Sequence, residues 1–141
     1  MSIQMNKEIL VSEVMLSAEK CPVVFENVIL KEALEKMGTF KLGISCITDF
    51  EGKLLGILTD GDIRRKLLKS QKPLSALFVD DVLIHSIRTP IVANPSDLLF
   101  DAVKLMDKNQ VWDLPVVDSN NKLIGVLHSH RAVSVLLGIL N

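Results

Sequence analysis

The residues best placed for chemistry are Thr59 and Asp62, which follow the apolar run Gly56–Leu58 and begin a helical pattern. One interpretation is a capping box, in which Thr59 caps the helix and Asp62 hydrogen-bonds back to it without any ligand. The other is a ligand site, because the free N–H groups of a helix N-terminus attract phosphate and a carboxylate accepts hydrogen bonds from ribose hydroxyls. The spacing alone leaves both interpretations open.

Charged neighbours extend this candidate site. Asp60 and Asp62 could form a metal pair, but Mg²⁺ usually also borrows the phosphates of a substrate, so we predict no metal site. Arg64, Arg65 and Lys66 follow as a short basic cluster. This pattern favours a solvated helix face; the alternative is that Arg64 or Arg65 contacts a phosphate bound near Thr59.

A second polar segment, His128-Ser129-His130, follows a later apolar run. Two histidines at this spacing form half of a metal site, but no third ligand is evident, so solvated or capping histidines are the favoured interpretation. Arg131 then stands where the first segment has Asp62. A guanidinium cannot accept hydrogen bonds from a ribose, so we expect the second site to be lost or altered. An anionic group remains a candidate partner for Arg131.

An internal repeat explains why the two segments correspond. When the sequence is shifted by 69 positions, eight residues of the stretch 30–58 are identical to residues of the stretch 99–127. The identities include Ala33 with Ala102 and Gly56 with Gly125, and several of the remaining pairs, such as Ile47 with Val116, are apolar in both copies. Self-similarity at a fixed offset indicates two copies of one structural unit.

Each copy predicts the order β-α-β-β-α. Apolar residues of copy one recur at i, i+3, i+4 and i+7 from Leu30 to Met37, which predicts a helix with one buried face. Asn27 and Ser96 are the expected N-caps of this helix and of its counterpart in copy two. Asp49–Gly52 and Asp118–Asn121 are the expected hairpin turns. The expected strands and closing helices are 22–25, 43–48, 54–58 and 62–68, with the counterparts 90–93, 114–117, 123–127 and 130–137.

One such unit is too small to bury a sufficient core, so the two copies are expected to pack sheet against sheet. The predicted fold is α/β (α+β), with tandem repeats related by a pseudo-twofold axis and a ligand cleft between them. The expected boundaries are a linker over 1–13, repeat one over 14–72, a connecting segment over 73–82 and repeat two over 83–141.

Composition narrows the function. The 141 residues carry 16 basic and 17 acidic side chains, so no basic excess supports sequence-independent nucleic-acid binding. Cys21 and Cys46 form no CxxC pair, which excludes a zinc ribbon or a disulfide framework as the organising device. No signal-peptide pattern and no apolar run long enough for a membrane helix occur, so we expect a cytoplasmic protein with no membrane partner. Trp112 is expected to serve in packing or in a dimer contact.

A strand that ends in Gly-x-apolar-Thr-x-x-Asp, here 56–62, inside a tandem β-α-β-β-α unit resembles the CBS domain family. Two copies resemble a CBS pair, also called a Bateman module. The resemblance covers about Val11 to Leu137 and implies that Thr59 and Asp62 bind the phosphate or ribose of a nucleotide. The candidate ligand-binding residues are Thr59, Asp62, Asp60, Arg64, Val23, Ser45, His128 and His130.

The stretch Thr59–Arg65, together with Gly125–His130 and Val11–Met15, is most similar to the C-terminal CBS pair of bacterial arabinose 5-phosphate isomerases. These enzymes convert ribulose 5-phosphate to arabinose 5-phosphate, toward the sugar acid Kdo of lipopolysaccharide. The resemblance implies an upstream sugar-isomerase domain in a parent protein. We find no catalytic constellation in this chain and therefore expect no enzymatic activity of its own.

The leading hypothesis is a regulatory module that requires no cofactor and binds an adenine nucleotide or a CMP-Kdo-like nucleotide sugar. One alternative is an assembly platform that binds no ligand, since CBS pairs form homodimers or larger assemblies. Another is the CBS pair of a sugar nucleotidyltransferase.

Overall fold

The structure is a computed structural model that describes residues 8–138. The first seven residues of the expected linker and the last three of the expected second repeat lie outside this range. Within it the protein is a mixed α+β fold with two three-stranded sheets and five α-helices. The elements are β1 (Leu16–Ser17), β2 (Val23–Phe25), α1 (Leu30–Phe40), β3 (Ile44–Thr48), β4 (Leu54–Thr59), α2 (Asp60–Lys69), α3 (Leu74–Phe78), α4 (Leu99–Asn109), β5 (Asp113–Val117), β6 (Leu123–His128) and α5 (Ser129–Leu136).

The two sheets are built alike and confirm the predicted fold class. In copy one the order is β2-β3-β4, with β2 parallel and β4 antiparallel to β3. In copy two the order is β1-β6-β5, so its third strand comes from the start of the chain. The expected strand over 90–93 is reduced to one bridge between Ala93 and Val116. Pro90 and Pro95 flank it, and proline has no N–H to donate to a sheet.

The sheets pack against each other through a shared apolar core. Ile44, Cys46 and Ile57 of copy one lie in one buried cluster with Val117 and Val126 of copy two. The hairpin turns also join, because Leu54 N donates to Asn121 O and Leu123 N donates to Gly52 O, each at 3.0 Å. The copies therefore form one packed body, as the size of the repeat predicted.

Each copy also sends its entry segment across to the other copy. The short 3-10 helix Val11–Glu13 places Val11 and Val14 in the core of copy two. Its counterpart, the 3-10 helix Val82–His85, places Val82 in the core of copy one. These crossing segments, residues 9–17 and 80–87, tie the start of each repeat to the body of the other.

The crossing segments replace the side-chain caps that the sequence predicted. The N-caps of α1 and α4 are Ile29 and Leu98, two residues after Asn27 and Ser96, and neither N-cap residue has a side-chain cap bond. Leu30 N donates instead to Asp80 O, and Leu99 N donates to Ile9 O, each at 2.8 Å. Main-chain carbonyls of the crossing segments thus satisfy donors that a polar side chain usually satisfies.

The repeated glycines mark the points of closest crossing. A Cβ at Gly56 would lie 2.8 Å from Ile87 O, and a Cβ at Gly125 would collide with Leu16 O. Both obstacles are main-chain atoms that are hydrogen-bonded or paired to the sheet, so they cannot move aside cheaply. The identity of these two repeat positions follows from this shared constraint.

We predict that Gly125→Ala lowers the free energy of unfolding by about 1–3 kcal/mol, because the added methyl overpacks the contact with the crossing segment. Gly38→Ala is the matched control, since Gly38 is an exposed position of α1 with no atom within 4 Å of the new Cβ. It should raise stability by about 0.5–1 kcal/mol through helix propensity. Urea unfolding measures both, and equal effects of the two substitutions would contradict the crossing contact.

Candidate functional site

Thr59 and Asp62 form a complete capping box at the start of α2. Asp62 N donates to Thr59 Oγ1 at 3.2 Å, and Thr59 N donates to Asp62 Oδ2 at 3.0 Å. The Thr59 hydroxyl also donates to Asp62 Oδ2 at 2.7 Å. The local sequence folds this way because β4 ends at Thr59, where an extended backbone hands over directly to the helix. One carboxylate oxygen of Asp62 is therefore fully committed to the cap.

Arg65 occupies the other oxygen of Asp62. Its Nη2 lies 2.8 Å from Asp62 Oδ1, and its guanidinium packs over Gly61. Arg64 is exposed, and no hydrogen bond or ion pair of its side chain is found among the described residues. Helical geometry explains the difference, because i and i+3 are neighbours on a helix surface whereas i and i+2 are not. Within the basic cluster, Arg65 is therefore the residue that contacts Asp62.

An open cavity of about 460 Å³ lies beside this cap. One wall is a single face of α2, because the lining positions 62, 65, 66 and 69 follow the i, i+3, i+4, i+7 spacing. The opposite wall is the crossing segment of copy two. The lining residues are Asp62, Arg65, Lys66, Lys69, Ser70, Lys72, Leu77, His85, Ser86 and Ile87. The cavity is rich in cations, although the whole chain has a net charge of only −1.

A hydrogen-bonded network adjoins the cavity through two of its lining residues, Lys72 and His85. His85 Nε2 lies 2.9 Å from Asp80 Oδ2, and Lys72 Nζ lies 3.7 Å from the same oxygen. The hydrogen bond from His85 is the main reason that the pKa of Asp80 lies below its ordinary value, with Lys72 adding to the effect. The His85 side chain is only 8% exposed, and its Nδ1 has no hydrogen-bond partner among the residues that the structure describes. Sequence reasoning missed this network, because nothing local signals it.

Copy two has a different arrangement at the corresponding place. His128, the counterpart of Thr59, makes no cap bond; its Nδ1 lies 2.7 Å from Asp113 Oδ1 across the β5–β6 pair. Burial raises the pKa of Asp113, His128 opposes this rise, and the charge on Asp60 adds to it. His130 is exposed, and Arg131 Nε donates to Val14 O at 3.0 Å. Copy two therefore has the guanidinium of Arg131 where copy one has the carboxylate of Asp62.

Val23 and Ser45 lie in the sheet of copy one, away from the residues that line the basic cavity. Val23 pairs with Cys46 in the β2–β3 ladder, and the buried Ser45 donates to Pro22 O at 3.4 Å. The structure thus brings together Thr59 and Asp62 but places Val23 and Ser45 on neighbouring strands and the histidines on copy two. Within residues 8–138, no group of three metal-ligating side chains is positioned to hold a metal ion.

Both cysteines are free thiols in the core. Burial raises the pKa of Cys21 to about 11, and it raises the pKa of Cys46 further. A thiol is reactive mainly as the thiolate, so both groups are expected to be inert at neutral pH. The cysteines therefore belong to the packing of the two sheets.

The family comparison agrees with this architecture. CBS domain sequences match residues 11–69 and 79–138, which covers both repeats. The chain belongs to the CBS domain family. The first matched region begins at Val11, with the first 3-10 helix, and ends at Lys69, with α2. The second begins shortly before the 3-10 helix Val82–His85 and ends shortly after α5.

Similar proteins include full-length relatives and solved CBS pairs. An uncharacterised protein of Rickettsia prowazekii is 30% identical over 89% of this chain and 37% of its own length. Arabinose 5-phosphate isomerase KdsD of Pseudomonas aeruginosa is 34% identical over 85% of this chain and 36% of its own length. The chain thus spans about a third of these relatives. The CBS-pair protein CBSX2 of Arabidopsis thaliana, solved also in complex with AMP, has a TM-score of 0.79 at 28% identity and covers 92% of this chain. The match covers 97% of the CBSX2 chain in the complex with AMP.

No helix within residues 8–138 combines the length and the apolar character that crossing a membrane requires.

The Asp80 network predicts a pH dependence of stability. A folded-state pKa below the ordinary value of 3.8 means that the ionised carboxylate favours the folded state. This stabilisation is present above that value and is lost as the pH falls through the lower folded-state pKa. Asp80→Asn should therefore destabilise the protein at neutral pH and progressively less below pH 3.8.

Denaturant unfolding across this pH range measures the effect, with Asp81→Asn as the control, because Asp81 is exposed and no side-chain ion pair engages it among the described residues. A pH-independent loss on Asp80→Asn would contradict the network.

Proposed function

We propose that this CBS pair is a regulatory module that binds a nucleotide or nucleotide sugar beside Thr59 and Asp62 and catalyses no reaction itself. The observation that carries the proposal is the arrangement of charges in the cavity. Asp62 lies at the N-terminus of α2, and a row of cations continues from it along the same face of the helix. A helix N-terminus and cations attract phosphate, whereas a carboxylate accepts hydrogen bonds from sugar hydroxyls. The three groups together suit a ligand that joins a sugar to an anion.

An adenine nucleotide is the first candidate ligand, because CBSX2 has been solved in complex with AMP. A CMP-Kdo-like nucleotide sugar is the second, because relatives of this chain include arabinose 5-phosphate isomerases. Both candidates carry a ribose and a phosphate, which Asp62 and the α2 cations would contact. Thr59, Asp60 and Arg64 remain proposed ligand-binding residues beside Asp62, and Val23, Ser45, His128 and His130 remain in the proposed ligand-binding set.

The regulatory role follows from where the cavity lies. Its walls are α2 of copy one and the end of the crossing segment, at Ser86 and Ile87. This segment leads into copy two. A ligand that contacts both walls binds best to one arrangement of the pair. It can therefore shift an equilibrium that domains attached to the chain experience.

The parent protein in this proposal is a cytoplasmic isomerase of the arabinose 5-phosphate isomerase type. A sugar-isomerase domain lies upstream of the CBS pair, and the two repeats span 14–72 and 83–141. The sequence identity to KdsD supports this parent; a sugar nucleotidyltransferase is the alternative.

Self-association is also part of the proposal. Trp112 is 77% exposed and borders an apolar pocket with Val103, Met106 and Val133, which suits a contact with a second copy.

The competing function is an assembly platform that binds no ligand. The complete capping box favours it, because Thr59 and Asp62 already satisfy each other. In that case Asp62 would contribute only the stability of a cap, about 0.5–2 kcal/mol.

Asp62→Asn separates the two functions. We expect the variant to stay folded and to bind AMP or a CMP-linked sugar acid at least about tenfold more weakly, since it loses charge-assisted hydrogen bonds to the ribose. Isothermal titration calorimetry measures the affinities. Asp97→Asn is the control, because Asp97 accepts a similar main-chain bond from Asn94 but lies outside the cavity.

Failure of the wild-type protein to bind any nucleotide or nucleotide sugar at micromolar affinity would support the platform. Equal affinities of the wild-type and Asp62→Asn proteins would exclude Asp62 as the ribose contact.

A further inference from the structure

We propose that the cavity selects a nucleotide with two or more phosphates, and that Arg65 couples recognition of the phosphates to recognition of the ribose. This inference rests on the proposed function and names the ligand class of the same site. Three features of the cavity carry it: the charge of its lining, the direction of its cation row and the partners of Asp62.

The lining carries more positive charge than a single phosphate requires. Four cations, Arg65, Lys66, Lys69 and Lys72, face one carboxylate, that of Asp62. Arg65 and Lys72 have acidic partners, but no ion pair within residues 8–138 engages Lys66 or Lys69. Uncompensated lysines in one cavity raise the local concentration of anions and favour ligands of higher charge.

The cations are arranged in a row. Positions 65, 66 and 69 continue the face of α2 that begins at Asp62, and the seven helical steps from residue 62 to residue 69 span about 10 Å. With a ribose at Asp62, one phosphate can contact only the near end of this row. A chain of two or three phosphates extends along the helix to Lys69, and Lys72 lies in the same cavity.

The partners of Asp62 make phosphate a condition for ribose binding. Oδ2 accepts two bonds from Thr59, and Oδ1 is held by Arg65 at 2.8 Å. Oδ1 can then accept only one further hydrogen bond, so a ribose diol that donates both of its hydroxyls to Asp62 needs Arg65 to leave Oδ1. A phosphate offers the guanidinium a new bidentate partner, whereas an unphosphorylated nucleoside offers none. Arg65 thus acts as a specificity residue that opens Asp62 only to phosphorylated ligands.

Copy two lacks this arrangement. At the same offset, Asp62, Arg65, Lys66 and Lys69 correspond to Arg131, Ser134, Val135 and Gly138. The corresponding face of α5 carries one charge, and Ser134 and Val135 are buried. The phosphate-chain subsite is therefore a property of the cleft of copy one.

The test compares adenosine, AMP, ADP and ATP, with inorganic tripolyphosphate as a probe without base or ribose, by isothermal titration calorimetry on the full chain. We expect the affinity to rise from AMP to ATP and adenosine to bind most weakly. Added salt should lower the affinity for ATP more than the affinity for AMP. The double substitution Lys66→Gln with Lys69→Gln should lower the affinity for ATP and for tripolyphosphate at least about tenfold. It should leave the affinity for adenosine unchanged. Lys20→Gln with Lys108→Gln is the control, because it makes the same change in net charge at exposed positions outside the cavity.

Arg65→Gln tests the coupling. It should bind adenosine more tightly than the wild type does, because Oδ1 of Asp62 is released, and it should bind ATP more weakly. A structural role of Arg65 alone would not move these two affinities in opposite directions.

Equal affinities for AMP and ATP, unaffected by the lysine substitutions, would overturn the inference and leave the proposed function standing. Binding of tripolyphosphate but of no nucleotide would contradict the nucleotide function while supporting the anionic subsite. Absence of binding by nucleotides and tripolyphosphate alike would overturn both.

Discussion

The exchange of entry segments between the two copies is the constraint on which the rest of the structure depends. Neither copy completes its first long helix alone, because Leu30 and Leu99 donate their first helical N–H to the other crossing segment. The sheet of copy two also takes one strand, β1, from the first crossing segment. Gly56 and Gly125 keep the crossing points open, and the sheets between them share one apolar core. The cleft beside α2 exists because a segment leading into copy two passes over copy one. A ligand bound in that cleft would therefore contact segments of both copies.

The same scaffold supports two chemically different sites. In copy one, Thr59 and Asp62 close the strand-to-helix turn and α2 presents cations. In copy two, a cross-strand pair of His128 with Asp113 replaces the cap, and the helix that follows carries one arginine, Arg131, and no lysine. Duplication fixed the architecture, and the side chains at a few equivalent positions then determined which cleft suits an anion. A nearly neutral chain can therefore have a strongly basic cleft, since most of its acidic residues lie outside the cleft.

The sequence predicted those features that arise from local patterns repeated at a fixed offset. The helices around Leu30 and Leu99, the hairpin turns and the Thr59–Asp62 pair could all be derived from spacing alone. The crossing segments could not, because their contacts join residues far apart in the chain and leave no local pattern. For the same reason Asn27 and Ser96 were wrong as N-caps: a tertiary hydrogen bond replaced the local one. Helical spacing could have distinguished Arg65 from Arg64, since only i+3 reaches Asp62.

The most direct test of the account is where a bound nucleotide contacts the protein. Backbone amide shifts recorded by NMR during titration with ATP locate the contact without any substitution. The account predicts that the largest changes fall on 59–69 and on Ser86 and Ile87, so that segments of both copies respond together, while 128–136 changes little. Changes centred on α5, or confined to copy one without Ser86 and Ile87, would contradict a cleft shared between the copies.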